Sequence, residues 1–414
     1  MTEKKNVNNQ YADVIVIGGG PAGLSVSALL GNHGVNVICL DRDSRKTHLS
    51  TEYDDRTTAI SYGSRNVLRH AGVWDAMENN ACPIRDIRIL DGDSPVLMSF
   101  LSQDMDGKSF GFIVENRVMR QALFDRLDTL DSVSHFTETT VTDIRTDQEK
   151  ARVETKDGGV YRADLVIGAD GRGSLTRMKT GIKTRQWLYD QKAHVCVVYH
   201  ENPHEHVAYE HFREEGPFAI LPMCDDAQGR HRSAVVWSDH RAARRSGMEM
   251  SDEAFEAGIK ARFPDHYGEL TIGDNRATYP LGLLHAENYI GRRTALVAEA
   301  AHAMHPIAGQ GLNMSLRDVA AIAELVIDAR QAGSDIGACA LLEQYQKRRR
   351  FDNTRMLAAT DGLTRLYSVK FPPVRLVRKA GVRAIAAFPP AKRFFMGQAM
   401  GLNGRLPRFV RQGR

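Results

Sequence analysis

The segment DVIVIGGGPAG, residues Asp13–Gly23, decides the fold class. It begins as a short β-branched run, and the residues from Pro21 to His33 then have the pattern of a helix that ends at Gly34. Val35–Leu40 is a second strand-like run. We therefore predict a βαβ unit at the start of an α/β domain.

The glycines of this segment fit G-x-G-x-x-G between a strand and a helix, the context that raises the motif above a chance match. Gly18 permits the tight turn, Gly20 lets a pyrophosphate approach the backbone, and Gly23 lets the helix pack closely on the strand. The helix begins with Pro21 and Ala22, and its N-terminus would hold the phosphates. A glycine turn without any ligand is the alternative interpretation.

An acidic residue follows the second strand at the position expected for a ribose contact. Asp41 lies 23 residues after Gly18, where a carboxylate accepts hydrogen bonds from an adenosine ribose and would repel a 2′-phosphate. NADP is therefore disfavoured in this site, and Arg42 is a further candidate contact. The motif does not choose between NAD and FAD.

The rest of the chain divides into a strand-rich middle and a helical end. Ser132–Ile167 is mostly strand-like, with a hairpin turn at Asp157-Gly158-Gly159. Strand signals continue over His194–Trp237 and predict an antiparallel sheet. After one apolar strand at TALVA, residues 294–298, helices run to Leu366 and a proline-punctuated tail follows.

Length and composition exclude several classes of protein. The 414 residues are 42% hydrophobic, which predicts two to three folded domains and excludes disordered and collagen-like chains. Five widely separated cysteines with no CxxC motif argue against a disulfide framework and a zinc cluster, and favour a reducing compartment. The polar N-terminus and the lack of a long apolar run argue against a signal peptide and a transmembrane helix.

The charge is distributed unevenly along the chain. The net charge is +4, yet residues 362–414 contain 12 Lys or Arg and no Asp or Glu, which leaves −8 on the remainder. Arg375, Lys379 and Arg383 recur at i+4 spacing beside apolar residues, a pattern typical of a helix that lies on a membrane surface. Packing of the tail on the acidic body is the alternative, and no nucleic-acid recognition motif accompanies the charge.

Two further motifs resemble a known family. ADLVIGADG at Ala163–Gly171 resembles the Asp-Gly motif of single-domain flavoprotein monooxygenases, and ALVAEAAHAMHPIAGQGLN at Ala295–Asn313 resembles their third flavin motif. With DRTTAIS at Asp55–Ser61 and VENR at Val114–Arg117, the chain most resembles the ubiquinone-biosynthesis hydroxylases over roughly residues 12–370.

The resemblance implies an α/β fold of three parts. They are a Rossmann-like FAD-binding domain of the p-hydroxybenzoate-hydroxylase type, an antiparallel β-sheet substrate domain and a helical C-terminal region. The implied bounds are 12–75, 110–180 and 285–345 for the first, 76–109 and 181–284 for the second, and 346–414 for the third.

The resemblance also assigns the third motif to the flavin. Glu299 stands where the family usually has Asp, and Ala298 where it has Gly, so the acid that would bind the ribityl chain is kept with one more methylene. Gly309 and Gly311 would let the backbone pass under the isoalloxazine ring. The N–H groups of Leu312 and Asn313 would face its N1 and C2 carbonyl edge, because helix N-termini favour negative charge.

Other positions are implied to contact the cofactor or to move a proton. Arg56, Asn116 and Arg120 match positions near flavin or pyrophosphate. Asp170 and Gly171 match the dual-role Asp-Gly pair, with a plain turn at the end of a strand as the alternative. The catalytic candidates are His305, which could accept a phenol proton, and the adjacent Pro306.

The remaining histidines have plainer interpretations. His302, inside the third motif, is expected to be packed and hydrogen-bonded. His200, His204, His206 and His211 lie at irregular spacing with no cysteine or carboxylate framework, so no metal is expected. Phe212, Phe218, Leu221 and Trp237 would form a wall over the flavin or simply pack in the core.

The implied activity is hydroxylation of a polyprenylated phenol by an FAD monooxygenase that uses O2 and NAD(P)H, without a second dinucleotide fingerprint. Alternatives are an FAD-dependent polyprenyl reductase or epoxidase, and a non-catalytic flavoprotein of a biosynthetic assembly. The expected location is cytoplasmic and peripheral to the inner membrane. The ring position, the prenyl length, the choice of NADH or NADPH and the oligomeric state stay open.

Overall fold

The computed structural model describes residues 10–50, 54, 56–92, 97–213, 215–239, 250–305, 309–368 and 372–411. The strands, numbered in chain order, are β1 (Gln10–Ile17), β2 (Val37–Leu40), β3 (Thr57–Ser61), β4 (Cys82–Ile84), β5 (Asp86–Asp91), β6 (Met98–Leu101), β7 (Gly111–Glu115), β8 (Val133–Phe136), β9 (Val141–Thr146), β10 (Ala151–Thr155), β11 (Val160–Gly168), β12 (Thr184–His200), β13 (Val207–Arg213), β14 (Gly216–Pro222), β15 (Arg232–Asp239), β16 (Leu270–Ala286), β17 (Ile290–Gly291), β18 (Thr294–Leu296) and β19 (His302–Ala303).

Helices cover the first sheet and end the chain. Numbered by the same rule, they are α1 (Pro21–Gly31), α2 (Arg45–Leu49), α3 (Tyr62–His70), α4 (Trp74–Met77), α5 (Asn116–Asp128), α6 (Leu175–Lys179), α7 (Asp252–Lys260), α8 (Gln310–Gln331), α9 (Cys339–Ser368), α10 (Pro372–Ala387) and α11 (Pro389–Ala399). In the part of the chain that the structure describes, no helix combines the length and the apolar character needed to cross a membrane.

The first sheet confirms the predicted βαβ unit. Its main order is β17-β18-β11-β1-β2-β8, with β1 parallel to both β2 and β11. The predicted hairpin is also present, because β10 pairs antiparallel with β11 around Gly158. Helix α1 packs against α8 and α5, and ten of its eleven residues are buried, so small and apolar residues are required on every face.

The second sheet has the order β19-β16-β12-β15-β14-β13-β5-β6. The predicted antiparallel arrangement over His194–Trp237 is confirmed for β12 to β15, whereas β13 and β5 pair in parallel. A small sheet of order β3-β7-β4 lies between α3 and this larger sheet.

The carboxyl ends of three parallel strands define the position of the candidate site. β1, β11 and β18 run parallel, so their carboxyl ends, at Ile17, Gly168 and Leu296, lie at one edge of the first sheet. Ligands of doubly wound sheets bind outside that edge. The three sequence motifs that were predicted to bind the cofactor follow these three ends.

Candidate functional site

The glycine turn after β1 has two crowded positions and one open position. A Cβ atom added to Gly18, whose φ is +107°, would lie 2.5 Å from the carbonyl oxygen of Ala169, and one added to Gly23 would lie 1.9 Å from that of Gly18. The roles predicted for Gly18 and Gly23, a tight turn and close packing, are confirmed. A Cβ atom on Gly20 would meet no heavy atom within 4 Å, so this position faces open space.

Helix α1 begins at this open position without a side-chain cap. Gly20 is the N-cap residue, Pro21 is the first helical residue, and no side chain caps this end. The first intrahelical bond runs from Leu24 N–H to Gly20 O, so the N–H groups of Ala22 and Gly23 have no partner from their own helix. Such an end attracts an anion.

The acid after β2 is buried in a pair that the sequence did not indicate. Asp41 Oδ2 lies 2.5 Å from His48 Nε2, and each residue is less than 5% exposed. Burial would raise the pKa of Asp41, but His48 outweighs it and the pKa is lowered. A Cβ atom on Gly19 would lie 2.0 Å from the same oxygen, so only glycine lets the carboxylate lie against the turn. Arg42, by contrast, is exposed.

Asp54 joins three residues that were predicted near the cofactor. Its carboxylate accepts hydrogen bonds from Arg56 Nε at 2.7 Å and Nη2 at 3.0 Å, from Asn116 Nδ2 at 2.9 Å and from Arg120 Nη2 at 2.6 Å. Thr58 donates to the Asn116 Oδ1 atom and connects the cluster to β3. Burial would raise the pKa of Asp54, but the two arginines hold it well below its usual range.

The Asp-Gly motif after β11 forms a local turn. Asp170 accepts hydrogen bonds from the Ser174 hydroxyl at 2.5 Å and from the Thr176 backbone N–H at 2.9 Å, and Gly171 has a φ of +75°. The Asp170 carboxylate thus stabilises the first turn of α6. The Cα atom of Asp170 would lie 2.9 Å from a Cβ atom added to Gly18, so the motif also borders the glycine turn.

The third motif contains a left-handed residue where the family usually has glycine. Ala298 has a φ of +55°, a conformation that costs an L residue about 1–2 kcal/mol. Glu299 is half exposed and lies 3.0 Å from Arg172 Nε. Arg177 donates to the carbonyl oxygens of Arg172 and Ala300, and it thereby connects the second motif to the third.

Arg56 and Glu299 face a common region. Burial would lower the pKa of Arg56, but Asp54 raises it, with smaller contributions from Tyr279 and Glu299. The guanidinium of Arg56 also lies 4.7 Å from the centre of the Tyr279 ring. Cofactor candidates from the segment Asp55–Ser61 and from the third motif therefore meet beside β16.

A second uncapped helix N-terminus lies at the start of α8. Gly309, with a φ of +61°, is its N-cap residue, and no side chain caps it. A Cβ atom on Gly311 would meet nothing within 4 Å. The Asn313 side chain turns away to β3, where it accepts from Ser61 N–H and donates to Ala59 O, both at 2.8 Å. Leu312 and Asn313 could therefore offer the cofactor only their backbone N–H groups.

Of the two catalytic candidates, Pro306 lies outside the described residues. His305 is 1% exposed, and its Nε2 atom lies 2.9 Å from Gln191 Oε1. The pairing of β12 with β16 shifts register between Leu188 and Lys192, and this irregularity carries Gln191. Such bulges commonly aim a side chain at a site. The roles of His305 and Pro306 stay predictions.

The prediction that aromatic side chains form a wall over the flavin is wrong for Phe218 and Trp237. Phe218 and Trp237 pack with Phe255 of α7 in a core on the far face of the second sheet. Side chains of a strand alternate between faces, so Leu221 lies on the opposite face, in a cluster that includes Ala59. Phe212 instead stacks on Tyr367 of α9, with ring centres 3.7 Å apart.

The donor set fits FAD. Two uncapped helix N-termini, each with a glycine that faces open space, match a pyrophosphate and an electron-rich ring edge. A surface cleft of about 710 Å³ lies near the opposite edge of the sheet, at Asp13. Its charged side chains pair with one another, as Lys150 does with Asp164 at 2.5 Å, so a phosphate there would have to compete with these carboxylates.

Comparison with known proteins gives the same result. Residues 11–360 match the FAD binding domain family. The ubiquinone hydroxylase UbiL of Rhodospirillum rubrum is 40% identical over 406 residues, which cover 97% of this chain and 93% of that protein. The 3-demethoxyubiquinol 3-hydroxylase of Escherichia coli is 31% identical over 96% of this chain and all of the relative.

Solved structures share the fold. The p-nitrophenol 4-monooxygenase PnpA of Pseudomonas putida aligns over 96% of this chain and 99% of its own, with a TM-score of 0.77 at 19% sequence identity. PqsL of Pseudomonas aeruginosa, described as a probable FAD-dependent monooxygenase, aligns over 90% of this chain and 99% of its own, with a TM-score of 0.75 at 21% identity.

Proposed function

The chain belongs to the FAD binding domain family and is an FAD-dependent monooxygenase, and we propose that it hydroxylates the ring of a polyprenylated phenol in ubiquinone biosynthesis with O2 and NAD(P)H. One observation carries the proposal. Helix α1 begins beyond the carboxyl edge of the first sheet, α8 contacts the turn after β18 at that edge through Asp318, and Gly20 and Gly311, near the starts of these two helices, face open space. A long anionic cofactor with a pyrophosphate in its middle and an electron-rich ring at one end suits this arrangement.

Each end of that cofactor has its own contacts in the proposal. The N–H groups of Ala22 and Gly23 bind the pyrophosphate, and Asp41 binds the adenosine ribose. Glu299 binds the ribityl chain, and the backbone of Leu312 and Asn313 binds the ring edge. When bound, FAD supplies hydride acceptance from NAD(P)H and activation of O2.

Arg56 and Arg120 are proposed to bring positive charge to the cofactor while Asp54 fixes their positions. Asp54 is buried and holds both guanidinium groups, so neither side chain is free to adopt many rotamers. A group that is already oriented binds with a smaller loss of conformational entropy. Asp54 is thus a positioning residue rather than a ligand.

An apolar surface beside the proposed ring position supports a prenylated substrate. A Cβ atom on Gly309 would lie 2.9 Å from the Cβ of Ala59. Ala59 packs in a cluster that includes Leu221 and Val197 of the second sheet. Apolar walls would also exclude water from the site. The exclusion of water protects reactive intermediates from decay.

His305 is proposed to accept the phenol proton. With Gln191 Oε1 as the acceptor, His305 Nε2 carries the ring hydrogen and Nδ1 holds the lone pair. Gln191 would thus fix the tautomer that acts as a base. Because the imidazole is 1% exposed, a proton taken from the ring would not be exchanged at once with bulk water.

The electron donor is proposed to bind only transiently. The sequence holds no second G-x-G-x-x-G motif, and Asp41 occupies the position that would repel the 2′-phosphate of NADP in the first site. NADH and NADPH would therefore both need to approach the bound FAD from the substrate side.

The activity is tested by supplying purified enzyme with NADH or NADPH, 18O2 and a prenylated phenol. We expect NAD(P)H oxidation to be stimulated by the phenol and one labelled oxygen atom to appear in the product by mass spectrometry. Accumulated quinone intermediates in a deletion strain would identify the ring position. Oxidation that yields only hydrogen peroxide with every prenylated phenol would contradict the proposed substrate.

The basic tail is proposed to bring the enzyme to a membrane surface. Part of it packs on the body, because Arg378 is buried and lies 2.5 Å from Asp91, and Met396 and Met400 are fully buried. Other apolar side chains remain in contact with solvent: Val377 is 71%, Phe388 60%, Phe394 52% and Phe395 41% exposed. The exposed cations Arg383 and Arg393 lie on the same two helices, α10 and α11.

A vesicle assay tests the tail without damage to the core. Phe388, Phe394 and Phe395 are replaced together by serine, and the matched control is Phe351→Ser, at an aromatic residue of α9 that is 67% exposed. We expect sedimentation with anionic liposomes to fall for the triple variant only, and to weaken with salt for the wild type. Equal sedimentation would refute the membrane contact, and a partner pull-down with the same variants would then test an assembly.

A further inference from the structure

The fold brings two cysteines to two histidines that are distant in sequence. Cys82, at the start of β4, lies with its Sγ atom 3.6 Å from His206 Nδ1, although 124 positions separate the two residues. Ligand atoms of Cys82, His204 and His206 all lie within 4.8 Å of one another. The sequence argued against a metal because no cysteine accompanied these histidines, and the fold removes that objection.

A second thiol completes the group. Cys224, two residues beyond the end of β14, has its thiol beside that of Cys82. A metal ion bound by both sulfur atoms would replace this contact between two thiols, because the thiolate is the form that binds metals.

The histidine tautomers suit metal binding. His204 Nε2 lies 2.8 Å from the carbonyl oxygen of Met223, so Nε2 carries the hydrogen and Nδ1 holds the lone pair. That Nδ1 atom accepts the backbone N–H of His206 at 3.1 Å, a contact that an ion would replace.

The separations agree with tetrahedral coordination. Zn–S bonds of about 2.3 Å and Zn–N bonds of about 2.05 Å at a tetrahedral angle put sulfur and nitrogen about 3.6 Å apart. The Cys82 Sγ to His206 Nδ1 distance is 3.6 Å. The His204 and His206 ring centres are 5.4 Å apart and the ring planes are inclined by 61°, so the two rings can approach one point from different directions.

We propose that Cys82, Cys224, His204 and His206 bind one zinc ion that joins the three-stranded sheet to the second sheet. Two thiolates and two neutral imidazoles form a neutral set with Zn²⁺, which suits burial. Cys82 is 2% and His204 8% exposed, whereas His206 and Cys224 are half-buried, so the ion would be largely shielded from solvent and would have a structural role. The ion would reinforce the bond from Arg85 N–H to His206 O, 2.9 Å long, that already connects the two regions.

Metal analysis of the untagged, FAD-containing enzyme tests the proposal. We expect about one zinc per chain by mass spectrometry of the elements, as a closed four-ligand site predicts. Cys82→Ser, Cys224→Ser and His206→Asn should each lose at least about tenfold in zinc affinity. The matched control is Cys339→Ser, which alters an exposed cysteine of α9 and should keep its zinc.

Cobalt gives a spectroscopic readout that the wild-type enzyme alone can confirm or contradict. The wild-type enzyme, stripped with a chelator and given Co²⁺, should show a sulfur-to-metal charge-transfer band, and Cys224→Ser should lower that band by about half. FAD content, measured in the same samples, should stay unchanged in wild type. Wild-type enzyme without zinc and without the cobalt band overturns the proposal, and so does equal zinc in wild type and Cys82→Ser.

Discussion

Replacement of Asp54 by asparagine should destabilise the folded protein and the part of the site that Arg56 and Arg120 form. The change keeps the shape of the side chain, removes the charge that holds Arg56 and Arg120, and turns N–H donors toward two guanidinium groups. Asp54 and Arg120 have side chains only 2% and 6% exposed. Removal of one partner from a buried ion pair costs about 3–5 kcal/mol, because the other charge is left uncompensated.

The ion pair between Asp54 and Arg56 contributes less to the free energy of unfolding than the pair between Asp54 and Arg120. The Arg56 side chain is 44% exposed, so solvent screens it and its loss costs below about 1 kcal/mol. The asparagine carbonyl can still accept one hydrogen bond from an arginine. We therefore expect Asp54→Asn to lower the free energy of unfolding by about 3–4 kcal/mol and to weaken FAD binding.

The assay is urea unfolding of the enzyme in excess FAD, with Asp128→Asn as the matched control. Asp128 also pairs with an arginine through two bonds, but its side chain is 53% exposed, so its loss should cost below about 1 kcal/mol. Equal unfolding free energies for the two variants would refute the reasoning about burial.

The pH dependence gives an independent check. Burial opposes the shift, but Arg56 and Arg120 depress the pKa of Asp54 in the folded state. A depressed carboxyl pKa adds stability that is complete above the unfolded value of about 3.9 and is lost as the pH falls through the folded value. The gap between wild type and Asp54→Asn should thus stay constant from about pH 8 to pH 5 and narrow below about pH 4.

Other substitutions test the remaining contacts. Gly20→Val should fold but purify without yellow colour, because its Cβ would enter only the space left for the phosphates, whereas Gly23→Val should fail to fold; a folded Gly20→Val with stoichiometric FAD would refute the turn's role. Glu299→Asp should keep FAD and Glu299→Ala should weaken it by about 1–3 kcal/mol, measured by flavin release on dilution; equal affinity of wild type and Glu299→Ala would count against the ribityl contact. Ala298→Gly should raise the unfolding free energy by about 0.5–1 kcal/mol in urea, because relief of the left-handed strain exceeds the added flexibility of the unfolded chain; a loss of stability would contradict it.

Local patterns in the sequence predicted the parts of the site that lie close together in the chain. The strand, turn and helix around Gly18 follow from glycine conformations and apolar periodicity within about 25 residues. Asp54 was missed because its partners Asn116 and Arg120 lie more than 60 positions away, and no local pattern marks such a pair. Phe218 was placed on the wrong face because a strand with both faces buried shows no alternation to decide between them.

The third motif shows why His302 is better understood as a support than as a catalyst. Asp318, fully buried in α8, accepts from the N–H of Ala298 at 3.2 Å and lies 2.6 Å from His302 Nε2, while Arg349 donates to its other oxygen at 2.8 Å. Burial would raise the pKa of Asp318, but His302 and Arg349 lower it to about 2, so the carboxylate stays charged. That charge holds both ends of the turn that carries Glu299, which confirms the expectation of a packed His302. The left-handed Ala298 can therefore persist, because the turn is fixed from behind by α8 and α9 rather than by its own backbone preference.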